Sequence, residues 1–146
     1  MRLYFAYGSN MWDAQMARRC PQSRKIGGGL LSGYRWMIST RGYANVVLSP
    51  VDKVEGVLFE IAKSDEQALD AFEGVGSGPY VKRDLPVLCD GRMALALVYV
   101  DPVSAEGTPK VEYIHRINSG LRDARLSEKY VAGYIRKYIP TESNTQ

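Results

Sequence analysis

The chain has 146 residues, of which 45% are hydrophobic and 24% charged, and its formal net charge is +3. These values are typical of one soluble globular domain with a buried core. The basic residues form no run of five or six like charges, and no apolar segment is long enough to span a bilayer, so we expect no nucleic-acid or membrane partner. Two isolated cysteines and a single histidine argue against a disulfide scaffold or a zinc site and predict a cytoplasmic protein without a metal.

The first element is a strand that ends in a tight turn. Leu3, Phe5 and Tyr7 fall on one face of an extended chain, and Tyr4 and Ala6 fall on the other. Gly8-Ser9-Asn10 follows, and these residue types build turns and helix starts. Their outward N–H groups would suit a carboxylate or a developing oxyanion, although an ordinary strand-to-helix turn explains the same residues.

The middle of the chain reads as β structure with irregular joints. A short helix over about 14–19 ends at Cys20-Pro21, and the glycines at 27–29 indicate a bulge or a close approach between backbones. Predicted strands cover 30–38, 44–48 and 54–61. The second is closed by Ser49-Pro50, and residues 39–43 form a polar loop before it.

A helix and a hairpin come next. Ser64 is expected to cap a helix that stops near Glu73-Gly74, where glycine adopts the left-handed conformation. Residues 76–79 form a turn. Strands over 80–88 and 93–100 are joined at Asp90-Gly91, which is a strong hairpin signal.

The C-terminal third is helical. Thr108 and Pro109 are typical of an N-cap and a first helical residue, and the Asn-Ser-Gly triplet at 118–120 is expected to end or interrupt that helix. Ser127 caps a last helix that Pro140 stops. Strands followed by helices predict an α+β fold, a small curved mixed β-sheet or barrel with flanking helices. We expect one domain over 1–140 and a disordered tail over 141–146.

Glu73 is the candidate for proton transfer. It ends an apolar helical segment and precedes a glycine-rich stretch, so its carboxyl group would be partly desolvated and close to a helix C-terminus. Both effects raise the pKa of a carboxyl group. A raised pKa suits a group that must accept and release a proton near neutrality. A solvent-facing glutamate in a final helical turn is the alternative.

Three segments, in order, resemble the γ-glutamylcyclotransferase-like (AIG2-like) family. Residues 4–10 are similar to the family's substrate loop, and residues 54–61 to the strand before its catalytic helix. Residues 69–75, followed by 77–81, resemble the segment that carries the catalytic glutamate and, seven residues later, an active-site tyrosine. The layout of residues 109–140 is also similar to the γ-glutamylcyclotransferase branch.

The resemblance implies an enzyme and assigns its site. The α-amino group of a γ-glutamyl compound would attack its own γ-carbonyl, giving 5-oxoproline and a free amine. Glu73 would be the catalytic acid and base. The substrate would be bound by Tyr7, Gly8, Ser9, Asn10 and Tyr80. No cofactor or metal is implied, the partner is a small-molecule γ-glutamyl substrate, and a homodimer is expected.

Two other functions stay open at this point. One is a non-catalytic small-molecule-binding protein of the same fold, which the presence of both Glu73 and Tyr80 disfavours. Taken alone, Tyr80 is also typical of a core aromatic in a strand. The other is a hydrolase with Ser9 as nucleophile and His115 as base, which the absence of a Gly-x-Ser-x-Gly elbow disfavours. The leaving group is an amino acid, a peptide such as glutathione, or an amine, and the loop at 41–45 is a candidate for discriminating among them.

Overall fold

The computed structural model describes residues 1–74 and 80–142, and its strands close into a barrel. The strands are β1 (Arg2–Ala6), β2 (Arg24–Ile38), β3 (Ala44–Ile61), β4 (Val81–Cys89) and β5 (Arg92–Val100). They follow the order β1-β3-β2-β4-β5, with β5 parallel to β1 and the other pairs antiparallel. The predicted α+β fold with a small curved mixed barrel is therefore confirmed.

Helices pack on the barrel and bury both faces of β1. They are α1 (Asp13–Arg19), α2 (Lys63–Glu73), α3 (Val111–Ala124) and α4 (Glu128–Tyr130), which continues as a π-helical turn over Val131–Ile135. Phe5 and Tyr7 belong to one apolar cluster, with Ile117 of α3. Tyr4 and Ala6 belong to a second cluster, which includes residues of α1 and α2. The alternation predicted for β1 is present, and the C-terminal end of the strand lies between these two apolar clusters.

Several local signals act as predicted. Asp90 and Gly91 have positive φ angles of 49° and 76° and join β4 to β5. The register of β2 shifts between Lys25 and Gly27, which is the expected bulge. Ser127 caps α4, because its hydroxyl oxygen accepts a hydrogen bond from the Tyr130 N–H at 3.2 Å. Each signal involves residues close together in sequence, so no distant contact competes with it.

The break predicted at Ser49-Pro50 is wrong. β3 is one strand of 18 residues that passes through this dipeptide. The register jumps from the pair Tyr34–Leu48 to the pair Ser32–Lys53, so residues 49–52 have no registered partner on β2. Proline is tolerated at such an irregularity because no ladder hydrogen bond needs its missing N–H.

The predicted start of α2 is also wrong. The helix begins at Lys63 with Ala62 as the cap, not at Ser64. The Asp65 carboxylate accepts from the Ala62 N–H at 3.0 Å and from the Gln22 N–H at 3.2 Å. Asp65 is buried, and its carboxylate connects the residue before the helix to the loop after α1. It therefore sets the helix start in place of Ser64.

The C-terminal helices differ from the prediction at two points. α3 starts at Val111 rather than after Thr108, because the Lys110 N–H donates to the Gly42 carbonyl and holds the preceding residues against the β2–β3 loop. The helix also runs through 118–120 without a break. A Cβ on Gly120 would lie 3.0 Å from the Trp12 nitrogen, so the small residue permits close packing rather than ending the helix.

Some expectations fall outside the described residues. They are the turn at 76–79 and the last four residues of the predicted tail. Thr141 and Glu142 are exposed. No helix in the described part of the chain is long and apolar enough to cross a membrane.

Candidate functional site

The six residues predicted for the site lie around one cavity of about 360 Å³. Its wall includes Tyr7, Gly8, Ser9, Asn10, Glu73 and Tyr80. Glu73 is 63 positions from Asn10, and the barrel brings the end of α2 to the end of β1. The fold therefore assembles these residues, while the role of each depends on the contacts described below.

The loop after β1 lines the cavity with Gly8, Ser9 and Asn10. Ser9, Asn10 and Met11 form a single 3₁₀ turn, in which the Met11 N–H donates to the Gly8 carbonyl at 3.1 Å. The N–H groups of Gly8 and Asn10 donate to no backbone carbonyl within the described residues, whereas the Ser9 backbone lies beside the Tyr113 hydroxyl and opposes the rise in the pKa of Tyr113. N–H groups at such a turn attract an anion or a partly charged oxygen.

Gly8 leaves space for its neighbours at the cavity. A Cβ at this position would lie 2.9 Å from the Tyr113 hydroxyl oxygen and 3.3 Å from the Ala44 Cβ. The glycine therefore lets α3 and the start of β3 approach the loop.

Tyr7 holds the end of β1 in place. Its hydroxyl donates to the Tyr99 carbonyl at 2.5 Å, and its carbonyl accepts from Trp36 Nε1 at 2.8 Å. Both contacts are buried. The Tyr7 hydroxyl hydrogen is already donated to Tyr99. Tyr7 therefore positions the loop.

The side chain of Asn10 is also fully engaged. Its Nδ2 donates to the Tyr4 hydroxyl oxygen at 2.9 Å. Its Oδ1 accepts from Gln15 Nε2 at 2.9 Å and from Arg19 Nη1 at 3.1 Å. Gln15 Nε2 also donates to Ser9 Oγ at 2.8 Å. This network fixes the side chains of Ser9 and Asn10.

Glu73 offers a carboxyl group that has no protein partner among the described residues. It is the last residue of α2, and Gly74 ends the helix with a φ of 67°. Within the described residues, its carboxyl group accepts no hydrogen bond and forms no ion pair. Burial raises the pKa of Glu73 to about 7, and the nearby Arg19 opposes the rise. The group can therefore hold or release a proton at neutral pH.

Two tyrosines close the side of the cavity at the start of β3. The Tyr80 hydroxyl donates to the Ala44 carbonyl at 2.9 Å. The Tyr113 hydroxyl oxygen accepts from the Ala44 N–H at 3.3 Å. Burial raises the pKa of Tyr113 to about 12, so its hydroxyl stays protonated. Tyr113 was not identified from the sequence, because it lies on a helix with an ordinary apolar stripe.

Three arginines in the described cavity wall make it suited to an anionic ligand. Arg19 stacks on Phe72, with its guanidinium carbon 4.3 Å from the ring centroid. Arg116 pairs with Glu112 at 2.8 Å. Arg41, in the loop predicted to discriminate leaving groups, pairs with the buried Asp101 at 2.9 Å. Arg19 and Arg116 were not predicted from the sequence as site residues, since surface arginines carry no local signal.

The contacts of Ser9 and His115 do not form a nucleophile and base. His115 Nδ1 lies 2.9 Å from Glu142 Oε2, and the described cavity wall does not include His115. Within residues 1–74 and 80–142, no group of three or more His, Cys, Asp or Glu side chains is placed to hold a metal ion.

Comparison with known proteins shows what this chain resembles. A family model described as "Gamma-glutamyl cyclotransferase, AIG2-like" matches residues 4–120. The γ-glutamylcyclotransferase of Mus musculus is 31% identical over 88% of this chain and 74% of its own length. The Homo sapiens protein of the same name is 30% identical, with the same coverage.

A solved structure titled "Gamma-glutamyl cyclotransferase" has the same fold. It is 26% identical, covers 99% of this chain and 91% of its own, and superposes with a TM-score of 0.84. These similarities agree with a cavity that holds both Glu73 and the turn after β1. The chain belongs to the γ-glutamyl cyclotransferase, AIG2-like family and is an enzyme of the γ-glutamylcyclotransferase type.

Proposed function

We propose that this enzyme converts a γ-glutamyl amino acid, peptide or amine to 5-oxoproline and the free amine, with Glu73 carrying the protons. The observation that supports this most is the Glu73 carboxyl group, which has no protein partner within the described residues and a pKa raised to about 7. It shares a cavity with the turn after β1, where the N–H groups of Gly8 and Asn10 donate to no backbone carbonyl of the described residues.

The reaction balances without an external reagent. The α-amino nitrogen bonds to the γ-carbonyl carbon, and the bond from that carbon to the leaving nitrogen breaks. Two protons leave the α-ammonium nitrogen, and two end on the leaving amine. A single carboxyl group can accept a proton from the attacking nitrogen and return it to the leaving one. We therefore propose that no metal ion takes part, and activity in excess chelator tests this.

The rest of the cavity holds the substrate folded on itself. Attack within one molecule is fast when the reacting atoms are kept in near-contact geometry. The N–H groups of Gly8, Ser9 and Asn10 are the donors for the substrate carboxylate or for the negative charge on the carbonyl oxygen. In this proposal Tyr7 fixes the loop, and Tyr80 contributes its hydroxyl oxygen as an acceptor beside Ala44.

We also propose a cytoplasmic location and a homodimeric assembly. Cys20 and Cys89 are free thiols, which agrees with a reducing compartment such as the cytoplasm. The expected homodimer is tested by light scattering on the purified protein, where a single 16.3 kDa species would contradict it.

Product analysis separates the possible functions. The protein is incubated with γ-glutamyl-alanine, glutathione and a γ-glutamyl amine, and 5-oxoproline and glutamate are quantified. We expect 5-oxoproline, a loss of about a hundred- to ten-thousandfold in Glu73→Gln, and retained cyclisation in Ser9→Ala. Glutamate as product, lost in Ser9→Ala, would indicate the hydrolase. Binding without any product would indicate the non-catalytic protein.

A further inference from the structure

Arg41 lies in the β2–β3 loop, whereas the cation that lowers the pKa of Glu73 is Arg19 of α1. Burial lowers the pKa of Arg19, and the charge of Arg116 lowers it further. Burial raises the pKa of the Tyr80 hydroxyl, with a further contribution from Glu73 and an opposing one from Arg41. Tyr80 therefore lies within reach of both charges, with Glu73 on α2 and Arg41 in the β2–β3 loop. The described cavity wall therefore has Arg19 and Arg116 on helices α1 and α3, and Arg41 in the β2–β3 loop.

The guanidinium group of Arg41 is held in one orientation. Its Nε donates to Asp101 Oδ2 at 2.9 Å, and the Asp101 side chain is completely buried, whereas that of Arg41 is 44% exposed. The other carboxylate oxygen accepts from the Val103 N–H at 2.9 Å. The Asp101 backbone is bonded in turn to the Asn45 side chain at 2.9 Å. A buried polar cluster thus fixes the base of the guanidinium fork.

The outer edge of the fork has no partner among the described residues. There, Nη1 and Nη2 of Arg41 donate to no acceptor, and Arg41 lines the cavity. A guanidinium group anchored through Nε offers two parallel N–H donors, which match the two oxygens of a carboxylate. The chemistry of Arg41 therefore suits a carboxylate ligand.

We propose that Arg41 binds the carboxylate of the leaving group, so that the enzyme prefers γ-glutamyl amino acids and peptides over γ-glutamyl amines. The inference rests on the proposed function, which places the glutamyl unit between Glu73 and the turn after β1. The leaving group then extends from the scissile bond toward the remaining wall. Asp101 is a positioning residue that acts through Arg41.

A matched pair of substrates tests the inference. γ-Glutamyl-alanine and γ-glutamyl-ethylamine differ only by the leaving-group carboxylate. We expect the wild-type kcat/KM to favour the alanine compound by roughly tenfold, mainly through KM, because the ion pair is partly exposed to water. Arg41→Met should reduce this ratio to about one, and Arg41→Lys, which keeps the charge without the fork, should give an intermediate value. Arg83→Met, which removes an exposed arginine of β4 outside the cavity wall, should leave the ratio unchanged.

The ratio is insensitive to partial unfolding, because both substrates are measured on the same sample. A wild-type ratio near one, or a wild-type ratio that survives in Arg41→Met, overturns the inference. If the wild-type protein forms no 5-oxoproline, the proposed function fails separately. Calorimetric binding of the two compounds to Glu73→Gln and to Glu73→Gln/Arg41→Met then decides the role of Arg41. A preference for the alanine compound lost in the double variant supports that role, and equal binding to Glu73→Gln overturns it.

Discussion

Replacing Glu73 by glutamine should make the protein more stable at alkaline pH while it removes activity. The folded protein raises the pKa of Glu73 from 4.5 to about 7. Between those values the folded state holds a proton that the unfolded chain has lost, so stability falls as pH rises through this window. A shift of about 2.5 units corresponds to roughly 3.4 kcal/mol. Because the residue is only half-buried, we expect a cost of about 1.5–3 kcal/mol above pH 8.

Urea unfolding of the two proteins at several pH values measures this cost. Glutamine has nearly the same shape and no charge, so the other titrating groups cancel in the difference. We expect Glu73→Gln to be more stable by about 1.5–3 kcal/mol at pH 8, with the difference falling to near zero by pH 4.5. A difference that is the same at both pH values would refute the argument that burial disfavours the charged carboxyl group.

Three further substitutions test the surroundings of Glu73. Arg19→Met removes the cation that lowers the pKa of Glu73, so the ionisation limb in the pH profile of kcat/KM should move up by about one unit. An unmoved limb would show that Arg19 does not act on the proton carrier. Gly8→Ala places a Cβ 2.9 Å from the Tyr113 hydroxyl oxygen and should cost about 1–3 kcal/mol in thermal unfolding. Tyr113→Phe in the same protein should recover part of the loss, and no recovery would contradict the steric cause. Asn10→Ala leaves the partners of a buried amide unpaired and should cost about 1–3 kcal/mol in the same assay, whereas an unchanged midpoint would contradict that role.

The parts of the fold that follow from sequence are those in which local chemistry decides. Alternation along β1 and the Asp90-Gly91 turn depend on residues a few positions apart, and both are present in the structure. The starts of α2 and α3 depend on contacts from distant residues. Asp65 bonds Gln22, and Lys110 bonds Gly42, so the local capping signals were overridden.

The site residues also fall into two groups, those that local sequence motifs identify and those that they do not. Glu73 and the turn after β1 lie in continuous motifs, and the barrel brings them to one cavity. Arg19, Tyr113 and Arg116 reach that cavity from two helices, where nothing in the local pattern distinguishes them from packing or surface residues. Ser9 was an alternative candidate for a nucleophile in the sequence. In the structure its hydroxyl oxygen accepts a hydrogen bond from Gln15, which helps to hold the turn.

The pKa of the Glu73 carboxyl group in solution is the measurement that tests the account most directly. Carbon-13 NMR of protein labelled at the glutamate side-chain carboxyl, with Glu73→Gln to assign the signal, follows its titration. The account predicts a midpoint of about 7, coincident with the midpoint at which kcat/KM for 5-oxoproline formation rises with pH. A midpoint near 4.5, or one that differs from the kinetic value by more than a unit, would contradict the assignment of Glu73 as the proton carrier.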